Sequence, residues 1–551
     1  MPDFGFCGPT YVARSLYAND EECINFYAEV LQVKRPDGRG QVNLYPVPGK
    51  TTLLTFADMA EVRGLGVFSG STILIAVCGS SVYNVSTGFV PTLVGTLATS
   101  SGPVSIADNG THVMLVDGNS RYVYVPGTGY FSSLGTGCSF NGTMSGFTLT
   151  VNSVTSGFLG LYQTVSGAGI APGTQITALG TGIGLTGTYT ISVSNTLGPE
   201  AMTTVDGAFT GGSQVGELDG FFVYANPNSN QWGASNVNSP ASQPLSVGLK
   251  DGSADFLVTL IVNNREVFLL GERSSEVWID QGSFPFPFIR LPGTSTQRGS
   301  AAPYSISRFG ESFAWLGRDS RGQGVVYRMA GYAPERISTD AVETAISGYS
   351  IIADARAYTY RQAGHEFYVL TFPTADVTWV CDSTMQPHLW HKRAYRDNLN
   401  VLHRDRGNCA AVFANKVVVG DYANGNLYSL DLNVYTDAGG VPLWRMRRAP
   451  HLTSDLKRVF YQELQLQFQP GVGLISGQGS NPQAMLTYSD DGGSTWSNQH
   501  WTSIGQIGQY KNRARWQRLG TARDRIFQVE VSDPVNFVIV SANLRAEMAA
   551  H

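Results

Sequence analysis

Three kinds of residue in this 551-residue chain could do chemistry: a braced acidic turn, isolated acid and histidine pairs, and a basic run near the C-terminal end. The turn is Ser489-Asp490-Asp491-Gly492-Gly493-Ser494-Thr495-Trp496, which fits the pattern S-x-D-G-G-x-T-W. A carboxylate at Asp491 can accept the turn's own N–H groups, the two glycines can take positive φ, and Trp496 can pack beneath them. Those roles describe a hairpin brace. The paired acids Glu21-Glu22 and Asp490-Asp491 could suggest acid–base work, but neighbours on a strand point to opposite faces. Neither pair has a matching partner cluster, and the expectation for both is a solvated surface. His388 and His391, in the run HLWH, stand three apart beside Trp390 and Lys392. That pattern suggests a blade edge, and without a third ligand it names no metal site. No P-loop, GxSxG, HExxH or dinucleotide fingerprint is present. The sequence therefore assigns no catalytic residue, no cofactor and no metal.

The basic run offers more. Lys511, Arg513 and Arg515 alternate, so on a strand they share one face, and Arg518, Arg523 and Arg525 follow within ten residues of Arg515. With only Asp524 opposing, residues 511–525 carry +5. Such a stripe can meet DNA phosphates or an acidic protein partner. It can equally keep an exposed edge strand soluble and unpaired. No aromatic ladder accompanies it, which argues against stacking of single-stranded bases.

The elements that must position these residues are short strands. Sixty-three Gly and twenty-five Pro without a collagen-type period, 42 % apolar residues and 14 % charged ones describe a turn-rich β protein with ample core. One hairpin unit recurs: EVFLLGERSSEVWIDQG from Glu266, with relatives from Ile73, His112, Phe221, Ser312, Glu366 and Lys416. Spacings near 40–50 residues with a few strands each are the mark of β-propeller blades, and seven hairpins make six or seven blades depending on how the ring closes. Turn residues vary between copies while apolar and aromatic positions recur, so the hairpin is framework. The segment from Ala18 to the turn at Pro46, Pro48 and Gly49 could supply a strand that completes a blade. One helix is expected in STDAVETAI, with Ser338 or Thr339 as cap and Asp340 and Glu343 in the first turn.

The widest gap between hairpins holds a Gly/Thr/Ser-rich stretch with clear alternation, as in Phe147-Thr148-Leu149-Thr150-Val151, and no Lys or Arg occurs from Tyr122 to Leu249. Alternating β-branched residues indicate a small inserted β module. After the run WRMRRAPHLTSDLKR from Trp444, expected to be a linker or boundary, the alternation of residues 459–471 and two or three further strands give an antiparallel sandwich. The expected division is 1–135 for the N-terminal part of the propeller, 136–212 for the insertion, 213–450 for the rest of the propeller and 451–551 for the C-terminal β domain. Net charge is −5, but residues 441–551 hold twelve Lys/Arg against eight Asp/Glu, which leaves −9 elsewhere. Six scattered cysteines with no CxxC read as free thiols in a reducing compartment. No signal peptide and no apolar run of membrane-spanning length is visible, so synthesis in a cytoplasm is expected.

Order and spacing of several segments resemble the packaged-DNA stabilisation, or tail hub, proteins of short-tailed (podovirus) bacteriophages. The segments are INFYAE from Ile24, YPVPGKTTL from Tyr45, REVFLLGERSSEVWIDQG from Arg265, QRGSAAPYSISRFGESFAWLGRD from Gln297 and GVVYRMAGYAPERISTDAVETAI from Gly324. The ending from Leu486, LTYSDDGGSTW, and from Lys511, KNRARWQRLGTARDRIFQVEVSDPVNFVIVSANLRAE, completes the resemblance, while the stretch 136–212 departs from it. What the resemblance implies is a structural virion protein without catalysis: a homohexameric ring below the portal and adaptor proteins. Such a ring closes the DNA channel, stabilises packaged double-stranded DNA and anchors the tail needle and the fibres or spikes. The alternative rests on the Asp box, which is known from sialidase propellers: a glycosidase or sugar-binding tail protein. That chemistry needs three arginines around a carboxylate and a tyrosine with a glutamate partner, and no motif here selects them.

Overall fold

The structure, a computed structural model, describes residues 4–31, 42–69, 72–135, 137–319, 322–455 and 457–548. Seven four-stranded antiparallel sheets form the blades of a propeller. Their strands run within 62–96, 105–133, 215–249, 257–290, 307–336, 356–396 and 407–431, the last joined by 49–55, here blades 1 to 7 in that order. Each hairpin recognised in the sequence is the second and third strand of one blade; Glu266–Gly271 and Ser275–Asp280 are those of blade 4.

The apolar runs in these hairpins follow from burial on both faces. In Val113–Val116, Val113 and Leu115 pack toward Ile75 and Val77 of blade 1, while Met114 and Val116 pack toward Phe222 and Tyr224 of blade 3. A strand covered on both sides has no polar alternation. The same arrangement repeats around the ring, so that each gap between adjacent blades holds its own apolar cluster. Blade 7 meets blade 1 where Asn408 Nδ2 donates to the Val62 carbonyl at 2.9 Å.

Ring closure settles the blade number at seven. Blade 7 takes its outermost strand from the N-terminal part of the chain, Gly49–Thr55, paired antiparallel to Asn426–Asp431. Glycine at position 49 is required by a close approach: a Cβ there would lie 2.2 Å from the Val434 carbonyl oxygen. The expected helix is Asp340–Ser347, and Thr339 is its cap, with a side chain that accepts from the Val342 N–H. Among the described residues no helix is long and apolar enough to cross a membrane.

Between blades 2 and 3 the chain leaves the ring. Two 18-residue strands, Ser139–Ser156 and Gly187–Thr204, pair from Ser139↔Thr203 to Val151↔Gly187, with Val165–Gly167 and Ile176–Leu179 added to the second of them. This sheet has its own core of Leu149, Val151, Ile176, Tyr189 and Ile191 among others. Thr136, where the sequence reading starts the insertion, lies outside the described residues. A buried polar node ties the sheet to the ring. Asp206 accepts from Arg121 of blade 2 at 3.1 Å, from Gln163 at 2.8 Å and from the Ser242 N–H at 2.7 Å.

The sandwich draws on both ends of the chain. One sheet orders Phe26–Val30, Val42–Pro46, Ile539–Met548, Val459–Phe468 and Ala514–Gln517; the other orders Asp20–Ile24, Arg445–Arg448, Asp524–Val531, Gln483–Ser489 and His500–Ser503. Phe6, Cys23, Phe26, Ala28 and Leu44 therefore share a core with Leu464, Phe527 and Ile539. The run from Trp444, expected as a linker or boundary, supplies an interior strand of the second sheet. That sheet is also continuous with blade 6, because Asp20–Ile24 lies parallel to Leu389–Arg396 with Ile24 opposite Lys392. The strand carrying His388's neighbours is the last of blade 6, at the blade's edge as expected, and Asp20–Ile24 covers it.

Candidate interaction surfaces

The six basic residues singled out in the sequence separate in space. Ala514–Gln517 is the edge strand beside Val459–Phe468, with Ala514 and Trp516 turned into the core and Arg515 outward. Lys511 and Arg513 in the preceding loop, Arg515, Arg518 and Arg523 are all exposed. Arg515 stands 3.9 Å from Glu463, the nearest carboxylate across the strand pair. Arg525 is different. It is buried, grips Asp490 through Nε and Nη2 at 2.6 Å each, and stacks over Tyr488 and Tyr461 at 4.2 and 4.5 Å. A guanidinium so committed braces the sandwich and is not offered to a partner. The exposed set forms a cationic edge that also resists edge-to-edge pairing.

The Glu21-Glu22 pair, expected on a solvated surface, is instead ion-paired, whereas in the other pair Asp490 is exposed and Asp491 bonds within its own turn. Glu21 binds Arg447 at 2.5 Å, and on the opposite strand face Glu22 binds Lys392 at 2.7 Å and Arg448 at 3.6 Å. The alternation of a strand delivers one carboxylate to each side of the seam between blade 6 and the sandwich. Signals for the two arginine partners exist in the sequence only as the basic run WRMRR, whose inward-facing members look like surface charge. Arg445 is also fully buried and clasps the carbonyls of Asp533 and Val535 at 2.5 and 2.6 Å. Burial depresses its guanidinium to about 10, still charged at neutral pH.

The Asp box behaves as a brace. Asp491 accepts from Thr495 Oγ1 at 2.6 Å, from the Thr495 N–H at 2.8 Å and from Ser489 Oγ at 2.7 Å, while the Gly493 N–H donates to Ser489 Oγ. Gly492 and Gly493 take φ of 69° and 92°. Trp496 is half-buried, with the Arg448 guanidinium 4.8 Å from its ring centre. The hydrogen bonds from Thr495 and Ser489 hold the Asp491 carboxyl down at about 2. Its folded value lies below the unfolded one, so its stabilising contribution is complete above the ordinary 3.8 and is lost as pH falls through about 2. Asp491→Ala is expected to speed amide exchange across residues 489–497 without loosening the propeller. Unchanged exchange there would remove the bracing role.

The glycosidase alternative can be tested at the propeller axis, where a cavity of about 400 Å³ is lined by Arg63, Arg308, Arg356, Tyr304 and Tyr358 among others. Arg63 spends its donors on the protein itself: on the carbonyls of Gly79, Thr99, Ser101 and Gly102 and on Thr99 Oγ1. Arg356 is held by Glu61 and Asn408. Three free guanidinium groups converging on a substrate carboxylate are therefore not assembled there. His391 is buried with its imidazole pushed well down by burial and by Arg393, and His388 lies near the Asp382 carbonyl at 3.4 Å. The two do not converge, and among the described residues no cluster of His, Cys, Asp and Glu could hold a metal. Cys23, Cys78, Cys138, Cys381 and Cys409 are free thiols; burial pushes Cys23, Cys138 and Cys409 up to about 12 and Cys78 to about 11.

Family models agree with this architecture. No curated protein matches the chain. Among solved structures, the crystal structure of the N-terminal domain of Nup159 aligns at 10 % identity with a TM-score of 0.36, covering 73 % of this chain and 97 % of that one. Residues 177–435 match the family model described as bacteriophage P22 Gp10, beta-propeller, and residues 444–547 match the one described as bacteriophage P22 Gp10, beta-sandwich. With both models matched in chain order, one on the ring and one on the sandwich, the chain belongs to the bacteriophage P22 Gp10 family of podovirus tail hub proteins.

Proposed function

We propose that this structural tail protein forms a homohexameric ring below the portal and adaptor proteins, closes the DNA channel after packaging and anchors the tail needle and the fibres or spikes, with no catalytic activity. The observation that carries this reading furthest is the continuous sheet joining blade 6 to the sandwich through Ile24 and Lys392. A ring wall under load needs its two lobes to move as one body, and backbone pairing across the seam, reinforced by the Glu22–Lys392 and Glu21–Arg447 pairs, supplies that stiffness. The propeller loops and the sandwich then present separate patches, as a cyclic assembly requires. Particles assembled without the protein are expected to lose their packaged DNA during purification. Particles that keep their genome would overturn the assignment.

The cationic edge of the sandwich is the contact we assign to packaged DNA or to an acidic neighbour in the tail, through Lys511, Arg513, Arg515, Arg518 and Arg523. Charge reversal at Arg513 and Arg515 is expected to weaken duplex binding and to lower the slope of log K against log salt by about 2. A slope and affinity equal to those of the unaltered protein would exclude a phosphate contact.

A further inference from the structure

The end of the sandwich at the loops 469–482 and 504–513 carries exposed apolar side chains that the tail hub reading leaves unused, beside the Lys511 and Arg513 of the cationic edge. Leu474 and Ile475 lie in the first loop and Ile507 and Tyr510 in the second; they are 40, 88, 58 and 72 % exposed. The two loops lie against each other. A Cβ on Gly471 would meet the Tyr510 ring at 2.7 Å, and one on Gly473 would meet the Ile507 backbone nitrogen at 2.8 Å. Both are also tied internally, Leu474 N–H donating to the Gly479 carbonyl at 2.7 Å and Asn512 Nδ2 to the Ser503 carbonyl at 2.8 Å. The exposed side chains are thus held out by braced turns.

Charge at this end has one sign. Residues 470–480 and 504–513 contain no Asp or Glu, and Lys511 and Arg513 follow within three residues of Tyr510, both exposed. Asp533, on the neighbouring turn, is engaged by the Gln483 N–H at 2.8 Å. Aliphatic tips, an amphipathic tyrosine beside them and an unopposed cationic rim form the pattern that suits a bilayer interface: aliphatic groups at the acyl boundary, tyrosine at headgroup level and cations on lipid phosphates. DNA gains nothing from Ile475 and Ile507, because the duplex exterior near phosphates is polar.

We propose that this end of the sandwich docks on an anionic lipid bilayer, with Ile475 and Ile507 entering the interface and Lys511 and Arg513 pairing with headgroup phosphates. The test is flotation of the full-length protein with vesicles of phosphatidylglycerol and phosphatidylcholine, against vesicles of phosphatidylcholine alone. The unaltered protein is expected to float with the anionic vesicles and to do so less at high salt. Ile475→Asp with Ile507→Asp is expected to lower partitioning on the order of 100-fold, and Lys511→Glu with Arg513→Glu several-fold, with circular dichroism unchanged. If the aspartate variant misfolds, Ile475→Ser with Ile507→Ser serves in its place. Failure of the unaltered protein to float overturns the proposal, as does flotation of the isoleucine variant at the unaltered level, which would mark a purely electrostatic contact. Cross-linking in purified virions that captures Ile475 against another protein, without flotation, assigns the tip to a protein partner and also overturns it.

Discussion

Lys50→Met is expected to open the propeller at its seam and to remove about 3–5 kcal/mol of stability, the usual cost of stranding buried charge. Lys50 lies on the Gly49–Thr55 strand that completes blade 7, and its Nζ reaches Asp405 Oδ2 at 2.6 Å and Asp437 Oδ1 at 2.8 Å, with all three side chains almost fully buried. Methionine matches its shape and leaves two carboxylates facing each other in the interior. Burial alone pulls the Lys50 ammonium down, but Asp405 and Asp437 outweigh it and hold the group above the ordinary 10.5. Burial likewise pushes the Asp405 carboxyl up, and Lys50 with Arg393 more than offsets that, leaving it below 3.8. The Asp405 contribution is therefore complete above 3.8 and lost as pH falls through its lower folded value; the Lys50 contribution is complete below 10.5 and lost only as pH rises through its higher one. The seam is at full strength across neutral pH. Urea unfolding should show the loss, and amide exchange should quicken first in residues 49–55 and 426–431, because backbone pairing there depends on the anchored strand. Adding Asp405→Asn and Asp437→Asn to Lys50→Met should restore part of the stability, since polar amides tolerate the site better than unpaired carboxylates. Exchange at 49–55 that matches the unaltered protein would contradict the role of Lys50 as anchor.

Arg447→Leu is expected to cost a similar amount, about 3–5 kcal/mol, and to release the N-terminal segment from the sandwich. Arg447 has no exposed surface, and it donates to the carbonyls of Phe6 at 2.6 Å and Pro9 at 2.9 Å and to Glu21 Oε2 at 2.5 Å. Gly8 lets the segment pass so near: a Cβ there would lie 3.1 Å from Arg447 Nη2. Leucine would leave two carbonyls and a carboxylate without donors, each with its own desolvation cost. Arg447→Lys should recover little, because three divergent acceptors match the planar fork of a guanidinium and not a single ammonium. Limited proteolysis reads the outcome directly, as faster cleavage within residues 4–25 at constant protease. Resistance equal to that of the unaltered protein would show that the clasp contributes little. Arg445, clasping Asp533 and Val535 in the same strand, provides an internal comparison, since its loss should loosen the 532–535 turn and spare the N-terminal segment.

Much of the ring was legible in the residues because a blade is a local object. Val113–Val116 and its counterparts are apolar on both faces, their turns carry Asn, Asp and Gly, and consecutive strands pair with one another. The Asp box was equally readable, since all its hydrogen bonds close within seven residues. The Glu21-Glu22 pair was misread for the opposite reason. Glu22 meets Lys392 across 370 positions and Glu21 meets Arg447 across 426, so nothing near them in the chain marks them as buried.

By itself the sequence determined an all-β chain of repeated hairpins, a helix capped at Thr339 or its neighbour, a separate Gly/Thr/Ser-rich sheet and a cationic stretch after residue 510. Only the tertiary structure decided that the ring has seven blades, that its last strand comes from residues 49–55 and that the sandwich is built from both chain ends. It also decided that Arg525 is a buried brace while Arg513 and Arg515 face outward. The physical reason is the same in each case. Local patterning states which face of a strand is apolar, whereas the choice of partner strand and the burial of a charge depend on complementary groups hundreds of residues away.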